Sequence, residues 1–149
     1  MEKKESYEKV LKEFKETLGE SKELIPRMAT LVAILKHAFP YYLWCGFYFL
    51  EEKELVVGPY QGTKACSVIG YHGVCGGAAK KKETLIVPDV HKYPGHIVCD
   101  DRAKSEIVIP VFDNDGRLVA VLDTDSDQIN SFDDVDKEYL EKIMKLLFA

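Results

Sequence analysis

From Tyr7 to Leu18 the apolar residues Tyr7, Val10, Leu11, Phe14 and Leu18 recur at three- and four-residue intervals, with lysine and glutamate between them. That spacing is one face of an α-helix, with Gly19 as its stop. A second helix is predicted over residues 24–37, where Ile25, Met28, Leu31, Val32 and Leu35 repeat the spacing, Pro26 sits near the first turn and Pro40 lies beyond the end. The pattern then changes. Residues 41–50 are almost continuously aromatic or aliphatic, 51–54 form a polar break, and 55–60 resume the apolar run, which predicts an antiparallel hairpin. A short strand is expected within 65–70, a short helix with a glycine-rich entry over 73–80, and a short buried strand over 84–87 that ends at Pro88.

Residues 89–104 show no period, and uninterrupted loops of that length in compact domains are commonly functional or disordered. Strands are predicted over 106–112 and 118–123, joined by Asp113-Asn114-Asp115-Gly116, whose Asp-Gly pair is a hairpin signal. A last helix over 131–148 has Ser131 as its expected N-cap, acids in its first turn, and Phe132, Val135, Tyr139, Ile143, Leu146 and Leu147 on its buried face. Hairpins make the sheet mostly antiparallel. The expectation is an α+β fold: residues 1–149 as a single domain, with N- and C-terminal helices packed on one face of a central sheet.

Composition narrows the function. The chain has 149 residues, 46% hydrophobic and 30% charged, which suits one globular core and excludes a wholly disordered chain. No apolar run approaches the roughly 18–20 residues of a membrane helix. The charged N-terminus has no apolar export leader, so the expected compartment is the cytoplasm. A net charge of −5 argues against nucleic acid or acidic membranes as partners.

Four cysteines in such a chain point to core packing, metal binding or thiol chemistry rather than a disulfide framework. Cys45 lies in the most hydrophobic stretch and reads as core filler. Cys99 lies in the long polar loop with His96, Arg102 and Lys104 as nearby cations to favour a thiolate, and Asp100 and Asp101 opposing them. Cys66 and Cys75 flank Gly70-Tyr71-His72-Gly73, and either is a candidate disulfide partner for Cys99. Cys66, His72, Cys75, His91, His96 and Cys99 are zinc-ligand types, but their spacings match no zinc pattern, so no metal is assigned. Glu106 opens one strand, while Asp123 and Asp125 fall on the same face of its hairpin partner. Three carboxylates at one sheet end repel one another unless they bind a cation or share a proton; otherwise they are solvated strand ends. Trp44, Phe47, Tyr48, Tyr60 and Tyr71 are either plain core or the walls of a pocket.

These motifs carry a resemblance. WCGFYFL, ELVVGPYQGTKAC, GYHGVCGGAA, LIVPDVHKYPGHIVCDDRAKSEIVIPVF and GRLVAVLDTDS together resemble the free methionine-(R)-sulfoxide reductases, stand-alone GAF-domain enzymes, from about Trp44 to the final helix. The resemblance implies a GAF fold and thiol-dependent reduction of free methionine (R)-sulfoxide to methionine, a repair activity under oxidative stress. It implies Cys99 as nucleophile, Cys66 as main resolving cysteine and Cys75 as a further thiol for disulfide exchange. It also implies substrate contacts from Glu106, Asp123, Asp125, Trp44 and Tyr48, no cofactor, and a thioredoxin-like dithiol as reductant; a homodimer is compatible with it. Two departures stand out: the segment between Gln61 and the GVCG motif is one residue shorter than the family's pattern, and Cys45 replaces an aliphatic residue. The competing class is a GAF module that senses a small ligand or redox state without turnover.

Overall fold

The computed structural model describes residues 2–149. Helix α1 (Lys3–Thr17) passes through a 3-10 turn at Leu18–Glu20 to α2 (Leu24–Ala38). The hairpin β1 (Trp44–Leu50) and β2 (Leu55–Gln61) follows, then a two-residue β3 (Val68–Ile69), α3 (Val74–Lys81) and β4 (Leu85–Val87). A second hairpin, β5 (Ser105–Phe112) and β6 (Leu118–Ser126), leads to α4 (Asp134–Leu146). The strands form one sheet in the order β3-β2-β1-β6-β5-β4, every neighbouring pair antiparallel.

The two hairpins join through β1 and β6, so the sheet's centre is buried on both faces. Cys45 and Phe47 of β1, Ile107, Ile109 and Val111 of β5, and Ala120 and Leu122 of β6 point to one face. There they meet Tyr7, Val10 and Phe14 of α1, Met28, Leu31 and Leu35 of α2, and Tyr139, Leu140 and Ile143 of α4. The expected layer of terminal helices is therefore present. The opposite face is also covered: Trp44, Tyr48, Val108 and Val121 pack against Val74, Cys75 and Ala78 of α3 and against Val90 of the following loop. This second cover explains why β1 and β5 read as continuous apolar runs instead of alternating ones.

Three local outcomes differ from the sequence reading. The strand expected within 65–70 is reduced to Val68–Ile69, because the preceding loop carbonyls are engaged by side chains: Trp44 Nε1–H donates to Thr63 O at 3.0 Å and Tyr48 O–H to Cys66 O at 2.9 Å. The cap of α4 is Asp133, not Ser131. Asp133 accepts from the Val135 N–H, Asp136 accepts from the Asp133 N–H, and Ser131 Oγ is instead engaged with Ser126 Oγ and Gln128 O. Finally, residues 89–104 are ordered by their own turns. Asp89 caps a 3-10 turn at Val90–Lys92, fully buried Val90 anchors it, and the Val90 N–H donates to Lys104 O at 2.9 Å.

Asp136 is fully buried in the helical layer. Its carboxylate accepts from Tyr7 O–H and Tyr41 O–H, each at 2.6 Å, and from Lys3 Nζ at 2.7 Å. With the Asp133 N–H it has four donors, which joins α1, α4 and the α2–β1 turn.

Candidate active site

Strand register brings the acids together. Asp125 sits opposite Trp44 on one side and Glu106 on the other; its neighbour on the same face, Asp123, sits opposite Gly46 and Val108. Gly46 is required here: a Cβ would lie 2.5 Å from the Trp44 ring and 2.4 Å from Tyr60 Cβ. Its absence lets the indole lie across the strand, stacked on Tyr60 at 5.3 Å and on Tyr48 at 5.9 Å between ring centroids.

Glu106 and Asp123 are not solvated strand ends, and Asp125 is half-buried beside them. Glu106 and Asp123 are 5% and 6% exposed. Burial raises the pKa of Glu106 well above the usual carboxylate range, helped by the charges of Asp123 and Asp125. Burial also raises Asp125, with the Asp123 charge adding to it. Asp123 is pushed up to about 6 by burial, against the stabilising presence of Glu106 and Cys75. Asp123 Oδ1 is buried without a hydrogen-bond partner. The cluster therefore holds protons at a pH where surface carboxylates have none, and it is short of donors.

A cavity of about 50 Å³ lies over these acids. Trp44, Tyr48, Cys75, His96 and Cys99 are among its other lining residues. The volume is several times the roughly 10–15 Å³ that one water needs. It suits an amino-acid-sized ligand rather than a folded chain.

Cys66 and Cys99 form a disulfide, with Cα atoms 5.5 Å apart. The shortened segment before GVCG therefore still delivers Cys66 to Cys99. Thr63 helps: its Oγ1 donates to Asp100 Oδ2 at 2.8 Å and ties the loop before Cys66 to the loop carrying Cys99. On the far side of that loop, Gly95 takes φ +82° and a Cβ there would meet His72 O at 2.4 Å, so only glycine allows this approach to the α3 entry. Cys75, near the start of α3, is free and buried, and burial with the nearby acids pushes its thiol pKa up. Cys45 lies on the other sheet face, 3.5 Å from Thr124 Oγ1, its thiol pushed up to about 12 by burial. It is core filler, as expected.

The remaining candidates separate. Of the cations expected around Cys99, Arg102 is turned onto Asp100 by two side-chain hydrogen bonds. Lys104 uses its backbone N–H on Ser126 O. His96 does line the cavity, 4.0 Å from Glu106 Oε1, and burial favours its neutral form. Phe47 belongs to the helix-side core, and Tyr71 donates to Glu51 O away from the pocket. The zinc-type set is not assembled: His72 and His91 are exposed. Sequence reasoning missed Thr63, which is legible only once both loops are placed, and the contact of His96 with Glu106.

Fold and pocket together define a known class. The GAF domain family matches residues 30–147. A free methionine-R-sulfoxide reductase from Saccharomyces cerevisiae is 55% identical over 108 residues, 70% of this chain and 60% of the yeast protein. One from Escherichia coli is 34% identical over 148 residues, covering 99% of this chain and 89% of that protein. The X-ray structure of the Neisseria meningitidis free methionine-R-sulfoxide reductase, in complex with its substrate, superposes with a TM-score of 0.94 at 38% identity, covering 99% of this chain and 89% of the other. The chain belongs to the GAF domain family and, within it, to the free methionine-R-sulfoxide reductases.

Proposed function

We propose that the protein reduces free methionine (R)-sulfoxide to methionine, with Cys99 as nucleophile and Cys66 as resolving thiol. The observation that carries this reading is the Cys66–Cys99 disulfide on the rim of a small cavity lined by three carboxylates. The Cys99 thiolate attacks the sulfoxide sulfur while a protonated carboxyl of the cluster donates to the oxygen; methionine leaves, and Cys99 retains the oxygen as sulfenic acid. The Cys66 thiol condenses with it, forming the disulfide and releasing water. An external dithiol of the thioredoxin type then reduces the disulfide by exchange. Cys75 serves as a reserve exchange thiol.

Glu106, Asp123 and Asp125 take the substrate ammonium, while Trp44 and Tyr48 pack on its thioether arm. An ammonium supplies the donors that Asp123 Oδ1 lacks. Such a cycle suits the reducing cytoplasm, and among the described residues no helix is long and apolar enough to cross a membrane. Every residue invoked comes from one copy of the chain, so the cycle runs equally in a monomer or a homodimer.

The test is methionine release from separated epimers, free and N-acetylated, with a dithiol present. The free R epimer turns over and its N-acetyl form does not, because the acylated amine leaves the carboxylates unpaired. Comparable turnover of the two would sink the ammonium site. Cys66→Ser keeps the first turnover but recycles slowly; no change in recycling would remove Cys66 from the resolving role. A GAF sensor without turnover would bind the sulfoxide and release no methionine.

A further inference from the structure

The sequence spacings give no metal pattern, yet folding assembles one from three separate elements. Cys75 at the start of α3, Glu106 on β5 and Asp123 on β6 place one ligand atom each within 4.8 Å of one another. All three are buried and all three line the cavity, which gives an ion its route in. A second observation is independent of that spacing: Asp123 Oδ1 is buried with no hydrogen-bond partner, and its side chain lines the cavity. An unpaired buried carboxylate oxygen calls for a cation or a donor.

We propose that this triad is a binding site for a thiophilic divalent cation of the zinc type. Thiolate sulfur and carboxylate oxygen are both ligand types that Zn²⁺ takes, and three protein ligands suffice where the fourth position stays open. Ligand bonds of about 2.0–2.3 Å in tetrahedral geometry put ligand atoms roughly 3.3–3.8 Å apart. The triad therefore needs a contraction of at most about 1.5 Å between ligand atoms, within reach of side-chain rotation. On binding, the Cys75 S–H bond and any O–H bond held by Glu106 or Asp123 give way to sulfur–metal and oxygen–metal bonds, the protons pass to water, and no electrons are exchanged. The site does not involve Cys66 or Cys99, so the disulfide form binds the ion as well as the reduced form does. His96 lines the same cavity, 4.0 Å from Glu106 Oε1.

The binding claim stands on the three ligands alone. Its consequence rests on the proposed function: Glu106 and Asp123 cannot hold the ion and the substrate ammonium together, so the ion competes with methionine sulfoxide.

The experiment uses the full chain in its disulfide form, titrated with Co²⁺ alone and then displaced with Zn²⁺. One Co²⁺ binds per chain with a thiolate-to-cobalt charge-transfer absorption, and Zn²⁺ abolishes the band. The band is absent in Cys75→Ser and unchanged in Cys45→Ser, and Asp123→Asn weakens Co²⁺ binding at least about tenfold. No band in the unmutated protein, or a band that survives Cys75→Ser, overturns the site without touching the reductase reading. In steady-state turnover, Zn²⁺ raises KM for methionine sulfoxide and leaves kcat unchanged; a fall in kcat at constant KM overturns the competition.

Discussion

Two aspartates are buried on opposite faces of the same sheet, and they are treated in opposite ways. Asp136, in the helical layer, has four donors including a lysine and two tyrosine hydroxyls. Asp123, in the pocket layer, has further acids and a high-pKa thiol as neighbours and one oxygen with no partner. The cysteines repeat the contrast. Cys45 is enclosed among apolar side chains, whereas Cys75 and Cys99 line the cavity. A polar group surrounded by its donors is architecture, and one buried without them is poised for something the chain does not supply.

The largest effect should come from the thiols. Cys99→Ser is expected to release no methionine even in a single turnover without reductant, while Cys45→Ala leaves turnover intact. One methionine per chain from the Cys99 variant would mean another thiol attacks. Next come the aspartates. Asp136→Asn removes the buried charged acceptor shared by Lys3, Tyr7 and Tyr41, so it should lower unfolding stability on the order of 3 kcal/mol in urea melts, with kcat/KM of the folded fraction unchanged. A loss of activity without loss of stability would erase the distinction drawn between the two layers.

The pocket acids should show the reverse. Glu106→Gln and Asp125→Asn are each expected to lower kcat/KM at least about tenfold, or about 1.4 kcal/mol, with stability unchanged or raised as like-charge repulsion is relieved. Parent-like kinetics would return these acids to the solvated strand ends that the sequence also allows.

The smallest and sharpest test is pH. Asp123 titrates at about 6 when folded, against about 3.9 in an unfolded chain. A carboxyl raised on folding binds its proton more tightly in the native state. Its contribution to stability is complete below about pH 4 and is lost as pH rises through about 6. Relative to Asp123→Asn, the parent protein should therefore lose stability between those values; chemical denaturation at stepped pH measures it. A flat difference would mean that Asp123 is solvated.

Much of this was legible in the chain because it depends on period. Helical spacing places Phe14 and Ile143 on buried faces, and alternation puts Asp123 and Asp125 on one face of their strand. Register is another matter. That Asp125 falls between Trp44 and Glu106 depends on how two hairpins join through β1 and β6, and no local pattern encodes that. The choice of Cys66 over Cys75 as partner of Cys99 spans 33 residues of sequence and came from family likeness, not from spacing. Asp136 was overlooked because a polar letter near a helix start reads as solvated. Its signal was the Asp133-x-x-Asp136 box, masked by the more conventional Ser131.

Both aromatic walls of the pocket are fastened to one short stretch of loop, Trp44 to Thr63 and Tyr48 to Cys66. The wall and Cys66 are thus tied together, and Trp44 is the chain's only tryptophan. The consequence is optical. Reducing the disulfide removes one of the ties on the loop to which the indole is hydrogen-bonded, and the emission of that single fluorophore is then expected to follow the oxidation state of the site, with no label attached.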